Sequence, residues 1–163
     1  MLPEDNIFGG NRMEEIIQVG QKAPDFTLPD QNGQSVILSQ FKGSKVLLSS
    51  HPLAWASVCM DQMRSLERAY DRFTEKNTVV LGFSVDPLPS KSVWAKVIAI
   101  EKMKILSDFN PIGQVSRQFG IFSEQYGASK RANILIDENG IVIWTKKYKI
   151  PELPDVEEVL AQL

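Results

Sequence analysis

Cys59 is the only cysteine among the 163 residues, and His51, eight positions earlier, is the only histidine. A thiol attacks as its thiolate. That anion is favoured at the start of a helix, where unpaired N–H groups and the positive end of the helix dipole face it. The same N–H groups can receive an anionic leaving oxygen. The segment from Leu48 through His51 and Pro52 to Cys59 leaves an apolar run, turns, and enters a helical pattern at the cysteine, which gives Cys59 this placement. The competing reading is a small buried hydrophobe, a common role for a free cysteine in an apolar stretch. One cysteine excludes an internal disulfide and a Cys-x-x-Cys pair. With one histidine beside it, the usual zinc ligand sets are absent too, so neither metal nor cofactor is expected. Whatever regenerates an oxidised Cys59 must then come from another molecule.

The elements that must position this residue are regular. Phe26–Leu28 and Ser35–Leu38 read as a hairpin, with Asn32-Gly33 supplying the positive φ angles of a tight turn. Lys45–Ser50 and Thr78–Val85 read as buried strands, and Cys59–Lys76 as a helix with Met63, Leu66, Ala69, Tyr70 and Phe73 on one face. A second helix is expected over Ser90–Ile100, with Val93, Trp94, Val97 and Ile98 inward. A short strand at Ile105–Leu106 and a short helix at Ile112–Phe119 follow. Ala132–Ile136 and Ile141–Lys146 form a terminal hairpin, and a closing helix runs from Leu153 to Leu163. Strands separated by helices pair in parallel, whereas the terminal hairpin must be antiparallel, so an α/β fold with a central mixed sheet flanked by helices is expected. The polar stretch 1–12 reads as a loose tail or an expression remnant, with Met13 a candidate native start and 13–163 one domain.

Composition narrows the function. Apolar residues make up 43% and charged residues 23%, ordinary globular usage, and the net charge of −2 is interspersed along the chain. No basic footprint for nucleic acid and no polybasic membrane segment is present. No apolar run approaches the roughly 18 residues needed to span a bilayer. Met1–Arg12 lacks the charged-then-apolar start of a secretory signal, so a cytoplasmic protein is the expectation.

Pro52 and Cys59 match the spacing of the peroxiredoxin signature Pro-x-x-x-Thr/Ser-x-x-Cys, and the chain resembles that family along most of its length. Val19–Leu28 is similar to the family's opening strand, Phe41-Lys42-Gly43 to the turn before its central strand, and Ser84-Val85-Asp86 with Trp94 to the stretch that brings an aromatic ring near the cysteine. Leu106-Ser107-Asp108 and Arg131–Gly140 match later landmarks, so the resemblance spans Gln18 to Leu163. It implies a one-cysteine peroxiredoxin of thioredoxin-like fold with an N-terminal hairpin extension. It also implies that Arg131, otherwise a solvated charge at a strand start, lies beside Cys59 as a fixed cation. Pro52, otherwise a strand terminator, would wall the pocket, and Gln62 would orient the arginine, an exposed helix surface being the alternative. His51 resembles the Ser-His-Pro of some one-cysteine members, with a structural hydrogen bond as the alternative role. Trp55 and Trp94 are core or pocket-wall aromatics.

One position departs from the pattern. Ala56 stands where the family has Thr or Ser, whose hydroxyl normally bonds the sulfur and the peroxide. Ser57, where the family usually has proline, substitutes only if the loop backbone rotates. Losing one such bond in a transition state costs about 2–4 kcal/mol. The substitution is engineered, or natural and compensated by Ser57, or the mark of a protein that has left peroxide catalysis. The resemblance implies attack of the Cys59 thiolate on hydrogen peroxide or an organic hydroperoxide, with Arg131 and the N–H groups at Val58–Cys59 stabilising the oxygens. The resulting sulfenic acid would be reduced by an external thiol, a thioredoxin-like protein or a small thiol. A redox-sensing or interaction protein on the same scaffold is the alternative, and thiol–disulfide exchange is disfavoured because no second cysteine follows Cys59. Family members commonly form homodimers; Trp55 and Ile121-Phe122 are candidates for a self-association patch or for core.

Overall fold

The computed structural model describes residues 15–163, so the tail expected at 1–12 and the candidate start at Met13 lie outside the described residues. The strands are β1 (Thr27–Pro29), β2 (Ser35–Ile37), β3 (Lys45–Ser50), β4 (Thr78–Ser84), β5 (Lys104–Ser107), β6 (Phe122–Ser123), β7 (Ala128–Ser129), β8 (Ala132–Ile136) and β9 (Val142–Lys147). The helices are α1 (Ser57–Arg68), α2 (Tyr70–Glu75), α3 (Leu88–Val97), α4 (Gln114–Gln118) and α5 (Val156–Leu160).

Five strands form one sheet in the order β5-β4-β3-β8-β9. β3 pairs in parallel with β4, and β4 with β5, because helical crossovers join them. β8 runs antiparallel to β3 and to β9, since the last two strands are a hairpin closed at Asp137–Gly140. This is the expected thioredoxin-like arrangement, with β1 and β2 as a separate hairpin before it. The turn of that hairpin differs from the expected one. Only Gly33 takes positive φ, at +78°, and the Asp30 carboxylate instead holds the turn by accepting from the N–H groups of Asn32 and Gln34.

Alternation along β3 divides the core. Val46 and Leu48 face a cluster with Phe26, Phe119 and Ile134, while Leu47 faces the other side with Cys59, Met63, Phe73 and Trp94. α1 lies on that second side and places Met63 and Leu66 against the sheet. The long helix expected over 59–76 starts two residues earlier, at Ser57, and breaks at Ala69 between α1 and α2. In α3 the inward face was misjudged. Trp94 and Ile98 are buried as expected, but Val93 and Val97 are exposed, and Lys91 takes the inward position one turn before Trp94 and Ala95. The β6–β7 hairpin was missed, because two-residue strands are too short for alternation to register. Phe122 of β6 and Ile121 just before it are core, whereas Trp55 is half exposed. Among the described residues no helix is long and apolar enough to cross a membrane.

Candidate active site

β3 ends at Ser50, and the chain runs through His51, Pro52, Leu53, Ala54, Trp55 and Ala56 before α1 begins. The loop is pinned from beneath. The Asp86 carboxylate, just past β4, accepts from the Ala54 N–H at 2.8 Å and from the Ser84 hydroxyl. Trp55 adopts φ +74°, a region side chains rarely take, and its indole N–H donates to Ser90 on α3 at 3.0 Å. Ala56 is the N-cap of α1, extended at φ −73° and ψ 143°, with no side chain to cap the helix. The first helical bond runs from Met60 N–H to Ala56 C=O at 3.0 Å. The N–H groups of Ser57, Val58 and Cys59 therefore precede the ladder as first-turn donors. No acidic residue sits in that turn to oppose the helix dipole.

Cys59 is the third residue of α1 and its thiol is buried at 1% exposure. Arg131, at the foot of β8, is also 1% exposed, and its Nη1 stands 3.5 Å from Cys59 Sγ. The same nitrogen donates to Gln62 Oε1 at 2.6 Å, and Nη2 donates to the Ile150 carbonyl at 2.7 Å. Gln62, one turn after Cys59, is in turn fixed by donating to Ser49 Oγ at 2.8 Å and to the Ser50 carbonyl at 3.1 Å. Three separate elements thus aim one guanidinium at the sulfur. The exposed-surface alternative for Gln62 is excluded by its burial. Arg131 Nε has no partner among the described residues.

His51 is fully buried and stacks against Trp94 at 5.2 Å between ring centroids. Its Nε2 lies 2.7 Å from the Nζ of Lys91, itself fully buried on α3. Burial, with the charges of Lys91 and Arg131 nearby, holds the imidazole well below its ordinary pKa of 6.5. His51 is hydrogen-bonded in the structure, with a lysine as partner. Lys91 and Asp86 were not singled out from the sequence as site residues. For Lys91 a signal existed: it shares the 91, 94, 95, 98 spacing of the buried face of α3.

The remaining expected site residues have defined places. Pro52 is half-buried and, with Leu53, Tyr126, Lys130 and Ile150, lines a cleft of about 830 Å3 next to Arg131. Trp94 is a buried wall behind His51. Val58 is half-buried, whereas Ala56 and Ser57 are exposed, and the Ser57 hydroxyl makes no hydrogen bond to Cys59 among the described residues. Of the three alternatives for Ala56, compensation by Ser57 has no hydrogen bond to support it among the described residues. No cluster of three potential metal ligands occurs among the described residues.

Comparison with known proteins places the chain in a family. The model of the AhpC/TSA family matches residues 19–145. A relative named alkyl hydroperoxide reductase E from Mycobacterium tuberculosis is 36% identical over 141 residues, 86% of this chain and 92% of that one. Peroxiredoxin 2 from Picrophilus torridus is 32% identical over 149 residues, 88% of this chain and 73% of its own. Among solved structures, reduced 2-Cys peroxiredoxin from Plasmodium vivax superposes with a TM-score of 0.82 at 32% identity, covering 88% of this chain and 79% of that one. Peroxidoxin BcpB from Mycobacterium tuberculosis gives 0.79 at 26% identity, covering 90% and 96%. With the family match running across most of the chain and a relative at 36% identity aligned over 92% of its own length, the protein belongs to the AhpC/TSA family and is a peroxiredoxin with a single cysteine.

Proposed function

We propose that this protein is a thiol-dependent peroxidase in which Cys59 is the attacking sulfur and Arg131 the fixed cation beside it. The observation that carries the reading is the 3.5 Å approach of Arg131 Nη1 to Cys59 Sγ at the first turn of α1. The Cys59 thiolate attacks one oxygen of hydrogen peroxide or an alkyl hydroperoxide. An S–O bond forms, the O–O bond breaks, and the departing hydroxide or alkoxide takes up a proton. Arg131 and the first-turn N–H groups stabilise the negative charge as it moves from sulfur to the leaving oxygen. Pro52 walls the pocket and limits water. The product is a sulfenic acid on Cys59 and one molecule of water or alcohol.

With one cysteine in the chain, that sulfenic acid is reduced by an external thiol, first to a mixed disulfide and then back to the thiol. A thioredoxin-like protein or a small thiol fits this step. Dependence on such a reductant argues for the cytoplasm, where thiols are kept reduced. Self-association as a homodimer is supported by the edge strand β9 and by the exposed apolar Leu53 and Trp55 of the active-site loop. A catalytically weakened redox sensor is the second reading, favoured by Ala56, whose position at the N-cap leaves no hydroxyl beside the sulfur.

Treatment with equimolar peroxide should add one oxygen at Cys59 by peptide mass spectrometry, with turnover on addition of dithiothreitol. Arg131→Met should lower the second-order rate by about 10² to 10³. Undiminished peroxide consumption by Cys59→Ser would refute the assignment. Oxidation of Cys59 without turnover under any thiol would select the sensor reading.

A further inference from the structure

The loop between β3 and α1 carries an unfavourable backbone. Trp55 takes φ +74°, a left-handed conformation that a bulky residue keeps only where its surroundings enforce it. Pairing of β3 with β4 ends where the His51 N–H donates to the Phe83 carbonyl at 3.1 Å, and the first bond of α1 runs from Met60 to Ala56. Between these anchors, residues 52–55 are held among the described residues by two hydrogen bonds. The Ala54 N–H donates to Asp86 at 2.8 Å, and the Trp55 indole N–H donates to Ser90 at 3.0 Å.

Both acceptors belong to one platform tied to the sheet. The Asp86 carbonyl accepts from the Ser107 hydroxyl of β5 at 2.6 Å, and its carboxylate also accepts from the Ser84 hydroxyl at the end of β4. Pro87 follows as the N-cap of α3, accepting from the Lys91 N–H at 3.1 Å, and Ser90 lies in that first turn. Two fixed points, four residues apart, thus meet Ala54 and Trp55.

We propose that Asp86 is a positioning residue for the reaction of Cys59: with Ser90 as a second point, it clamps the loop so that Trp55 turns the chain into α1 with the sulfur against Arg131. The 3.5 Å approach of Arg131 Nη1 to Cys59 Sγ has two sides. Gln62 and the Ile150 carbonyl fix the guanidinium. The sulfur is fixed by where Ala56 starts the helix, and that point follows from the turn at Trp55. Asp86 acts through the backbone of Ala54, not on the sulfur itself. Ala54 is buried, so removing its acceptor strands an N–H away from water, and the loop must move to satisfy it. Trp55 is then free to leave the left-handed region, and the first turn of α1 shifts with it. Misplacing a reacting group by about 1 Å costs on the order of 10²-fold in rate.

The inference rests on Cys59 being the reacting sulfur. Its test compares the full chain with its variants by stopped-flow oxidation with hydrogen peroxide and by amide hydrogen exchange with mass spectrometry. Asp86→Ala should lower the second-order rate by about tenfold or more and speed exchange over residues 51–60, with exchange in β3, β4 and β5 unchanged. Asp86→Asn keeps a carbonyl oxygen for the Ala54 N–H and should recover most of that rate. Ser90→Ala breaks the Trp55 bond alone and should lower the rate about threefold, with faster exchange confined to the same residues. An Asp86→Ala rate equal to wild type would overturn the proposal, as would an Asp86→Asn rate no better than that of Asp86→Ala. Faster exchange throughout the sheet would overturn it too, being the mark of a general loss of stability. Should Asp86→Ala fail to fold, Ser90→Ala decides: a wild-type rate and wild-type exchange over 51–60 overturn the clamp. If Cys59 still gains one oxygen while the loop variants behave as wild type, the clamp falls and the proposed function stands.

Discussion

At Ala56 two consequences of one missing hydroxyl meet. The residue has the extended backbone of an N-cap and its side chain is exposed, so a serine or threonine fits there without displacing packed atoms. A hydroxyl would accept from a first-turn N–H of α1, and such caps contribute about 0.5–2 kcal/mol. It would also sit beside the turn that carries Cys59. Ala56→Thr is expected to raise the midpoint of urea unfolding, corresponding to roughly 1 kcal/mol. It should also raise the second-order rate with hydrogen peroxide by about tenfold or more, measured by stopped-flow fluorescence. A gain in stability with no gain in rate would mean that the hydroxyl matters to the helix alone.

The position of α1 depends on how closely it approaches the sheet. Gly82 on β4 lies under it, and a Cβ there would come within 2.4 Å of Met63 Sδ and 3.1 Å of a methyl of Ile105. The backbone at Gly82 is not in the positive-φ region, so the constraint is one of space. Gly82→Ala is expected to destabilise the fold by about 1–3 kcal/mol in urea titration. Because Met63 lies one turn beyond Cys59 on the same helix, the peroxide rate should fall as well. Unchanged stability would show that Met63 simply turns aside. The approach also explains why α1 and β4 could be recognised separately in sequence while their separation could not: periodicity reports which face of an element is apolar, not how near another element comes.

At the scale of the molecule, burying Lys91 links stability to pH. An unfolded lysine titrates near 10.5, whereas in the folded protein Lys91 is lowered to about 7. Between those values the unfolded chain holds a proton that the folded chain does not, so this group makes stability rise with pH across that window. Below pH 7 both states are charged and the folded state carries the full cost of the buried ammonium. Lys91→Met should therefore be stabilising relative to wild type at pH 6, on the order of 3 kcal/mol, with the advantage shrinking toward pH 10. Urea unfolding at both pH values checks this, and a difference independent of pH would contradict it.

The strand and helix order, the parallel and antiparallel pairings, and Cys59 at a helix start were legible in the chain itself, because hydrophobic periodicity and Gly or Pro punctuation are local properties. The spacing of Pro52 to Cys59, read with the family resemblance, also pointed to Arg131, which stands 72 residues from the cysteine in sequence and 3.5 Å from it in space. Helix starts differ by two or three residues, and Val93 and Val97 were assigned to the wrong side of α3, because an apolar residue alone does not announce which side of a helix is covered. Only the tertiary structure decided that Gln62 is buried and locks the arginine, that no hydrogen bond joins the Ser57 hydroxyl to Cys59 among the described residues, and that Lys91 is folded inward onto His51. These are matters of long-range packing: the environment of a polar side chain is set by the elements that close over it, and one-dimensional patterns carry no record of that closure.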